Sequence, residues 1–238
     1  MPLGTAVIKQ NRWLMRVGFA GSFLLLIQCL PSRILYSPIP SEIISVEGYA
    51  SLRVYGEQGM GRTKFSFIFL LPDKGNLEAS NFLGQTIYRI TVNPEGAYLI
   101  IPSKKVYWKG QEEEIIYMLL GFKLTMREMI SLLTGEWQEL GSVQAEELDQ
   151  RWELEKDQLG RIISGRRGPL NFKIEEFADD SHLARRLVFD NGSTAGRVRL
   201  IKAAFNKPIK SGTFSTAILI NYQQKSWEEI QALIDNED

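Results

Sequence analysis

The stretch VEGYASLRVYGEQGMGRTKFSFIFLL (46–71) decides the fold, because it contains two strands and the turn that joins them. Apolar or glycine positions alternate with more polar ones in its first half: Val46, Gly48, Ala50, Leu52 and Val54. A period of two is typical of a strand with one buried face. The second half places three phenylalanines on one face: Phe65, Phe67 and Phe69. The stretch therefore predicts an antiparallel hairpin with one strongly apolar face.

The same alternation continues along the chain. Further strands are predicted at 77–80, 86–92, 97–101, 106–108, 152–154, 161–164, 170–177, 183–190, 195–202 and 214–221. Turn residues such as Asn93–Gly96 and Asn191–Gly192 separate neighbouring strands. Sequential hairpins favour one antiparallel sheet, and a sheet of roughly eleven strands should curl. The predicted fold is mainly β with some helix (α+β), an open antiparallel half-barrel.

Short helices interrupt the strands. EEEIIYMLLG (112–121) has acidic residues in its first turn and Gly121 after its end, as the helix dipole and the C-cap favour. Thr125 and Glu128 form a capping box that opens a second helix, which ends at Gly135. These two helices would cover the open face of the half-barrel. A further short helix is predicted at 225–234.

The N-terminus has the pattern of a secretory signal. A basic leader is followed by the apolar run VGFAGSFLLLIQ (17–28) and then by Cys29, the one cysteine of the chain. The run is short for a transmembrane span. It resembles a bacterial lipoprotein signal, in which the cysteine is lipidated, although Gln28 stands where a small residue is usual. The alternative is a signal anchor with an incidental cysteine.

Composition excludes several classes of protein. Without residues 1–28 the chain has 25 basic against 28 acidic residues, so it offers no basic field for nucleic acid. One cysteine and one histidine, His182, allow neither an internal disulfide nor a cysteine-based or histidine-cluster metal site. Phosphate-binding glycine motifs are missing as well. We therefore expect no cofactor, no metal and no enzymatic activity.

These patterns give four segments. Residues 1–28 are the signal peptide or signal anchor, and residues 29–45, with Pro38 and Pro40, form a lipid-anchored tether. Residues 46–221 form the half-barrel, and residues 222–238 form a tail with a short helix.

The block NFLGQTIYRITVNPEGAYLIIPSKKVYW and the two helices after it (81–135) resemble the LolB family of outer-membrane lipoprotein receptors and the related carrier LolA. The shared order is Asn81-x-Leu83-Gly84, an x-Pro-x-Gly hairpin at 93–96, Gly121, and a second helix that ends in Leu-x-Gly at 133–135. The element order extends the resemblance over roughly 46–205.

The resemblance implies a hydrophobic cavity that holds the acyl chains of lipoproteins, with a periplasmic carrier as partner. It also implies a loop whose exposed leucine delivers them to the membrane, here Phe82, Leu83 and Gly84. Candidate cavity residues are Phe65, Phe67, Phe69, Ile90, Val92, Leu99, Ile101, Met118, Met126 and Met129. The alternative for these residues is a filled core, and Phe82 and Leu83 would then fold back into it.

The expected function is a lipid-anchored acceptor or carrier on the periplasmic face of the outer membrane. The alternatives are anchoring in the inner membrane by the signal segment, and a periplasmic lipid-binding sensor or envelope-assembly module on the same fold, with the tail helix as a docking element. We expect Arg166 and Arg167 at a solvated hairpin tip rather than on lipid headgroups, and only the helix dipole is needed to explain Glu112–Glu114.

Overall fold

The computed structural model describes residues 38–56, 59–81, 83–120, 123–135, 152–179 and 181–235. In these parts of the chain the strands are β1 (Ser45–Gly56), β2 (Gly59–Leu70), β3 (Lys74–Ser80), β4 (Thr86–Asn93), β5 (Gly96–Ile101), β6 (Val106–Gly110), β7 (Glu153–Lys156), β8 (Ile162–Arg167), β9 (Leu170–Phe177), β10 (Ala184–Asp190), β11 (Thr194–Phe205) and β12 (Gln223–Gln224). The helices are α1 (Glu112–Leu120), α2 (Met126–Thr134) and α3 (Trp227–Asp235).

All twelve strands form one open sheet, in the order β12-β6-β5-β4-β3-β2-β1-β11-β10-β9-β8-β7. Every pairing is antiparallel except that of β12 with β6. The sheet does not close on itself, since β12 and β7 lie at its two ends. The predicted fold class, an open antiparallel half-barrel with helices, is confirmed.

The opening hairpin forms as its alternation predicts. Ala50 pairs with Phe65, and both are buried on the inner face of the sheet. Gly48 pairs with Phe67, and a Cβ at Gly48 would lie 2.3 Å from the Phe67 ring. The missing side chain of Gly48 therefore gives the aromatic ring its place in the core. The rings of Phe67 and Phe69 then stack with centroids 5.2 Å apart.

Helices α1 and α2 lie on the inner face, with α1 packed on β5 and α2 on β10. Thr125 and Glu128 form the predicted capping box of α2. Gly135 ends this helix in the left-handed conformation with φ 73°. Gly121, predicted to end α1, lies outside the described residues.

The predicted strand at 214–221 is wrong. After β11 the chain crosses the outer face of the sheet as a strap with a 3₁₀ helix at Ala217–Asn221. Side-chain amides hold its backbone: Asn76 donates to the carbonyl of Thr213 at 3.4 Å, and Asn93 donates to that of Phe214 at 3.1 Å. Leu219 packs with four aromatic or apolar side chains in a second small core on this face: Tyr98, Ile100, Tyr107 and Tyr222.

The predicted tail helix is present as α3 and packs on its own sheet. Ile230 is 0% exposed and belongs to the main core. The rings of Trp227 and Trp108, on β6, lie 5.1 Å apart. The helix is therefore part of the folded body rather than a free appendage. Ile39 and Ile43 of the predicted tether also pack against the core.

Candidate functional site

A small apolar cavity lies between α2 and the inner face of the sheet. Its volume is about 50 Å³. The strands, α2 and one residue two positions before α2 supply its lining: Leu52, Thr63, Phe65, Leu77, Tyr88, Leu124, Met129, Leu132, Leu133, Leu187, Phe189 and Val198. Burial raises the pKa of Tyr88 to about 12, so its phenol is neutral at physiological pH. The cavity is thus an uncharged site that suits an apolar ligand.

The cavity is too small for an acyl chain in the present arrangement. A cavity of about 150 Å³ holds a molecule the size of benzene. Leu132 and Leu133 are buried on the underside of α2 and close the space from above. The space must widen to hold a longer apolar ligand, and movement of α2 away from the sheet would widen it.

Two of the predicted cavity residues, Phe65 and Met129, line this space. Seven others lie in the surrounding apolar core without bordering the cavity: Phe67, Phe69, Ile90, Val92, Leu99, Ile101 and Met126. Met118 belongs to α1, and its side chain lies outside the described part of the structure, as do Cys29 and Phe82. Sequence reasoning missed the share contributed by β10 and β11, namely Leu187, Phe189 and Val198.

A polar cluster fixes the N-terminus of α2 to the sheet. Glu128 is 4% exposed and accepts hydrogen bonds from the indole of Trp152 at 2.8 Å and from the guanidinium of Arg167. Arg167 also donates to the carbonyl of Lys123 and lies 4.7 Å from the centre of the Trp152 ring. These contacts join α2 to β8 and to the residue before β7, at one side of the cavity.

The expectation for Arg167 at a solvated tip is therefore wrong. Arg167 belongs to β8, where it pairs with Leu170, and its side chain is only 18% exposed. The turn follows at Gly168, with φ 55°. Gly165 is a glycine for another reason, because a Cβ there would lie 2.4 Å from the ring of Phe172.

Glu112 links the two inner helices. It stands in the first turn of α1, as predicted, and it also accepts a hydrogen bond from the backbone N–H of Met126 in α2. Burial raises the pKa of the Glu112 carboxyl, and the neighbouring Glu113 and Glu128 add to this, while the bond from Met126 opposes it. The dipole of α1 alone does not explain this residue.

The loop between β3 and β4 projects Leu83, which is 67% exposed. Asn81 builds the turn, since its side-chain oxygen accepts from the N–H groups of Leu83 and Gln85, both at 3.0 Å. Gly84 completes it with φ 79°, where a side chain would be strained. Leu83 thus stands on a preformed turn and does not fold back into the core.

The loop between β7 and β8 has the same construction. Asp157 accepts from the N–H groups of Leu159 and Arg161, both at 2.9 Å, and Gly160 has φ 77°. Leu159 is 71% exposed. The β3–β4 turn lies at the same end of the strands as the β1–β2 and β8–β9 turns, whereas the β7–β8 turn lies at the opposite end of the strands.

Two further features bear on function. Within the described ranges, no helix combines the length and apolar character needed to span a bilayer. Over the same ranges, no group of three or more histidine, cysteine, aspartate or glutamate side chains is placed to hold a metal ion. His182 is an exposed turn residue next to Gly135.

An open sheet whose apolar inner face lies under short helices is a half-barrel that encloses an apolar space. The family model of the outer membrane lipoprotein LolB matches residues 45–202, and the chain belongs to that family. No curated protein sequence matches the chain significantly.

Solved structures share the fold at low sequence identity. A LolA superfamily protein from Nitrosomonas europaea is 8% identical with a TM-score of 0.53, covering 75% of this chain and 92% of its own. An outer membrane lipoprotein-sorting protein domain from Vibrio parahaemolyticus is 11% identical with a TM-score of 0.50, covering 82% and 97%. A DUF1329 family protein from Desulfovibrio piger is 8% identical with a TM-score of 0.51, covering 75% and 92%.

Proposed function

We propose that this protein is a lipid-anchored, non-enzymatic acceptor that binds the acyl chains of lipoproteins and helps insert them into the bacterial outer membrane. Membership of the LolB family supports a role in lipoprotein sorting. The observation that carries the proposal is the apolar cavity under α2, which lies beside a helix held at its N-terminus by polar contacts. Acyl chains would enter between α2 and the inner face of the sheet.

The energetics of transfer follow from burial of the chains. Each buried CH₂ contributes roughly 0.8 kcal/mol. Spreading α2 from the sheet breaks contacts of Met129, Leu132 and Leu133, which the acyl chains must replace. Cargo bound in this way is stabilised less than cargo in a bilayer, where no helix has to be displaced. Transfer to the membrane is then downhill without an energy source.

Anchoring and delivery complete the proposal. Cys29 would carry the lipid anchor, residues 30–44 would be the spacer, and the protein would face the periplasm from the outer membrane. Leu83, on its exposed hydrogen-bonded turn, would enter the bilayer interface and open a path for the cargo. A periplasmic carrier would supply the lipoprotein.

Uptake of cargo tests the cavity. A soluble form that begins at Pro31 is mixed with a carrier loaded with a triacylated lipoprotein, and native mass spectrometry counts the cargo retained. Val198→Phe adds volume to the cavity and should reduce uptake. Val188→Phe makes the same change on the neighbouring strand, outside this cavity, and should leave uptake unchanged. Failure of the wild type to take up cargo would refute the proposal.

The second candidate is a lipid-binding sensor or envelope-assembly module on the same fold. The small volume of about 50 Å³ favours it, since a sensor needs no room for several chains. The same assay separates the two functions, because a module of this kind retains no triacylated cargo in wild type or in either variant.

A further inference from the structure

The outer face of β1, β2 and β11 carries basic side chains in register. Arg53 pairs with Arg62 on β2 and with Arg197 on β11. One step along β1, Ser51 pairs with Lys64 and with Arg199. Paired residues point to the same side of a sheet. Arg53, Arg62, Lys64, Arg197 and Arg199 therefore form one surface, the arginine face.

Most of this charge is not compensated. Arg197 contacts Glu175 at 3.1 Å. Within the part of the chain that the structure describes, Arg53, Arg62, Lys64 and Arg199 form no ion pair. Like charges directly opposite each other destabilise a sheet. Because these four cations lie close together without ion pairs, they can bind anions from outside the protein.

The arginine face continues to the exposed Leu83 turn. Lys64 pairs with Ser80, the last residue of β3, and the Leu83 turn follows directly. Ile87 and Tyr55 are each 37% exposed and lie near the same end of the strands as the Leu83 turn.

The Leu159 turn has the same geometry but no basic face beside it. β7, which leads into it, carries the exposed acids Glu153 and Glu155 and one exposed cation, Lys156. Arg161, after the turn, is neutralised by Asp157 at 2.8 Å. Charge, rather than turn shape, therefore distinguishes the two exposed leucines.

We propose that the arginine face binds an anionic phospholipid surface and thereby holds the Leu83 turn against the bilayer. This rests on the proposed function and adds to it the lipid class that orients the protein. Guanidinium groups bind phosphate through two parallel hydrogen bonds. Ser51 lies between Lys64 and Arg199, and in the next row of the sheet Ser66 pairs with the half-buried Tyr49. The five cations are spread over three strands, which suits the spread array of headgroup phosphates on an anionic membrane.

The test uses the full chain with vesicles. Cys29→Ser removes the native thiol, and Ser66→Cys places a single thiol, labelled with an environment-sensitive dye, next to Lys64 at the border of the arginine face. The labelled chain is mixed with phosphatidylcholine vesicles, with or without one-third phosphatidylglycerol. We expect the dye to report membrane contact only with phosphatidylglycerol, and high salt should abolish the signal.

Charge variants make the test specific. Each cation near an anionic membrane strengthens contact about fivefold. The triple variant Arg53→Gln, Arg62→Gln, Arg199→Gln should therefore lower the ratio of bound to free faces by about 100-fold. The control removes three exposed cations elsewhere: Arg127→Gln, Lys207→Gln and Lys210→Gln. It loses the same total charge but should keep the signal, since these three cations lie outside the arginine face.

Four results overturn the inference. They are equal contact with neutral vesicles, an unchanged signal in the triple variant, an equal loss in the control, and a dye signal that appears only when an acidic protein is added. Cargo uptake, measured on the same variants, keeps the two proposals apart. Normal uptake without dependence on phosphatidylglycerol defeats only the present inference, whereas lost uptake in wild type defeats the proposed function.

Discussion

Glu128 in α2 and Arg167 in β8 form an ion pair in which the glutamate side chain is 5% and the arginine side chain 18% exposed. Arg167 donates from β8 to a carboxylate oxygen of Glu128 in α2, and Trp152 donates to the same oxygen. Since α2 closes the cavity, this pair opposes the motion that would admit a ligand. We refer to α2 as the lid and to this pair as its latch.

Removing the latch should loosen the lid. Arg167→Leu leaves the Glu128 carboxylate buried with one donor fewer, so we expect a loss of about 2 kcal/mol in the free energy of unfolding. Hydrogen exchange should accelerate in α2 more than in β1. Urea denaturation and exchange mass spectrometry measure the two effects.

The double variant Glu128→Gln, Arg167→Leu is the control for the latch. It removes the unpaired charge, so it should recover part of the lost stability while the lid remains loose. If exchange in α2 stays at the wild-type rate in both variants, the pair does not hold the lid.

The pKa of Glu112 gives a second prediction. Because burial raises this pKa in the folded protein, the ionised form costs stability, and the cost grows as pH rises from the ordinary carboxyl pKa through the raised one. Glu112→Gln should therefore stabilise the protein at pH 7 and have little effect at pH 4. An amide oxygen can still accept from the N–H of Met126.

Denaturant titrations at both pH values test this. Glu114→Gln is a matched control, since Glu114 is exposed on the same helix turn and is not among the groups that raise the pKa of Glu112. A gain that is equal at pH 4 and pH 7 would contradict the assigned cause.

Buried Ile230 tests whether α3 belongs to the folded body. Ile230→Ala should cost about 2–5 kcal/mol, because the side chain is 0% exposed in the main core. Ile234→Ala, on the same helix but 37% exposed, should cost less than about 1 kcal/mol. Thermal unfolding of both variants measures the difference. Equal small effects would mean that α3 contributes little to stability.

The sequence predicted the β1–β2 hairpin and the α2 caps because those signals are local. Alternation set the inner face of β1, and the Thr125 capping box set the start of α2. The strand prediction for the strap was wrong because Phe214, Thr216 and Ile218 alternate as in a strand. The side chains that hold the backbone of the strap, such as Asn76, lie far away in sequence. No local pattern records such a contact.

Some residues around the cavity could not be predicted for a similar reason. The predicted strand ended at Ser164 and placed Arg166 and Arg167 at a hairpin tip, but Gly165 continues the strand, and the Phe172 ring occupies the space of its missing side chain. The turn therefore follows Arg167, and the ion pair of Arg167 with Glu128 could not be predicted from the sequence. Val198 and Leu187 were missed as cavity residues because which apolar side chains border a void depends on where α2 packs.

Because the Leu83 and Leu159 turns share their geometry, they allow a matched test of lipoprotein delivery to the membrane. Leu83→Glu should leave cargo uptake intact and reduce transfer to liposomes at least tenfold, because a charge at the tip opposes entry into the bilayer interface. Leu159→Glu is matched in turn geometry and exposure, but Leu159 lies at the opposite end of the strands. Transfer should therefore remain within about twofold of wild type. Transfer of a fluorescent triacylated lipoprotein from the loaded protein to liposomes gives both rates. If the two variants lose transfer equally, a general need for apolar surface replaces the specific role of Leu83. If neither loses it, the turn takes no part in delivery.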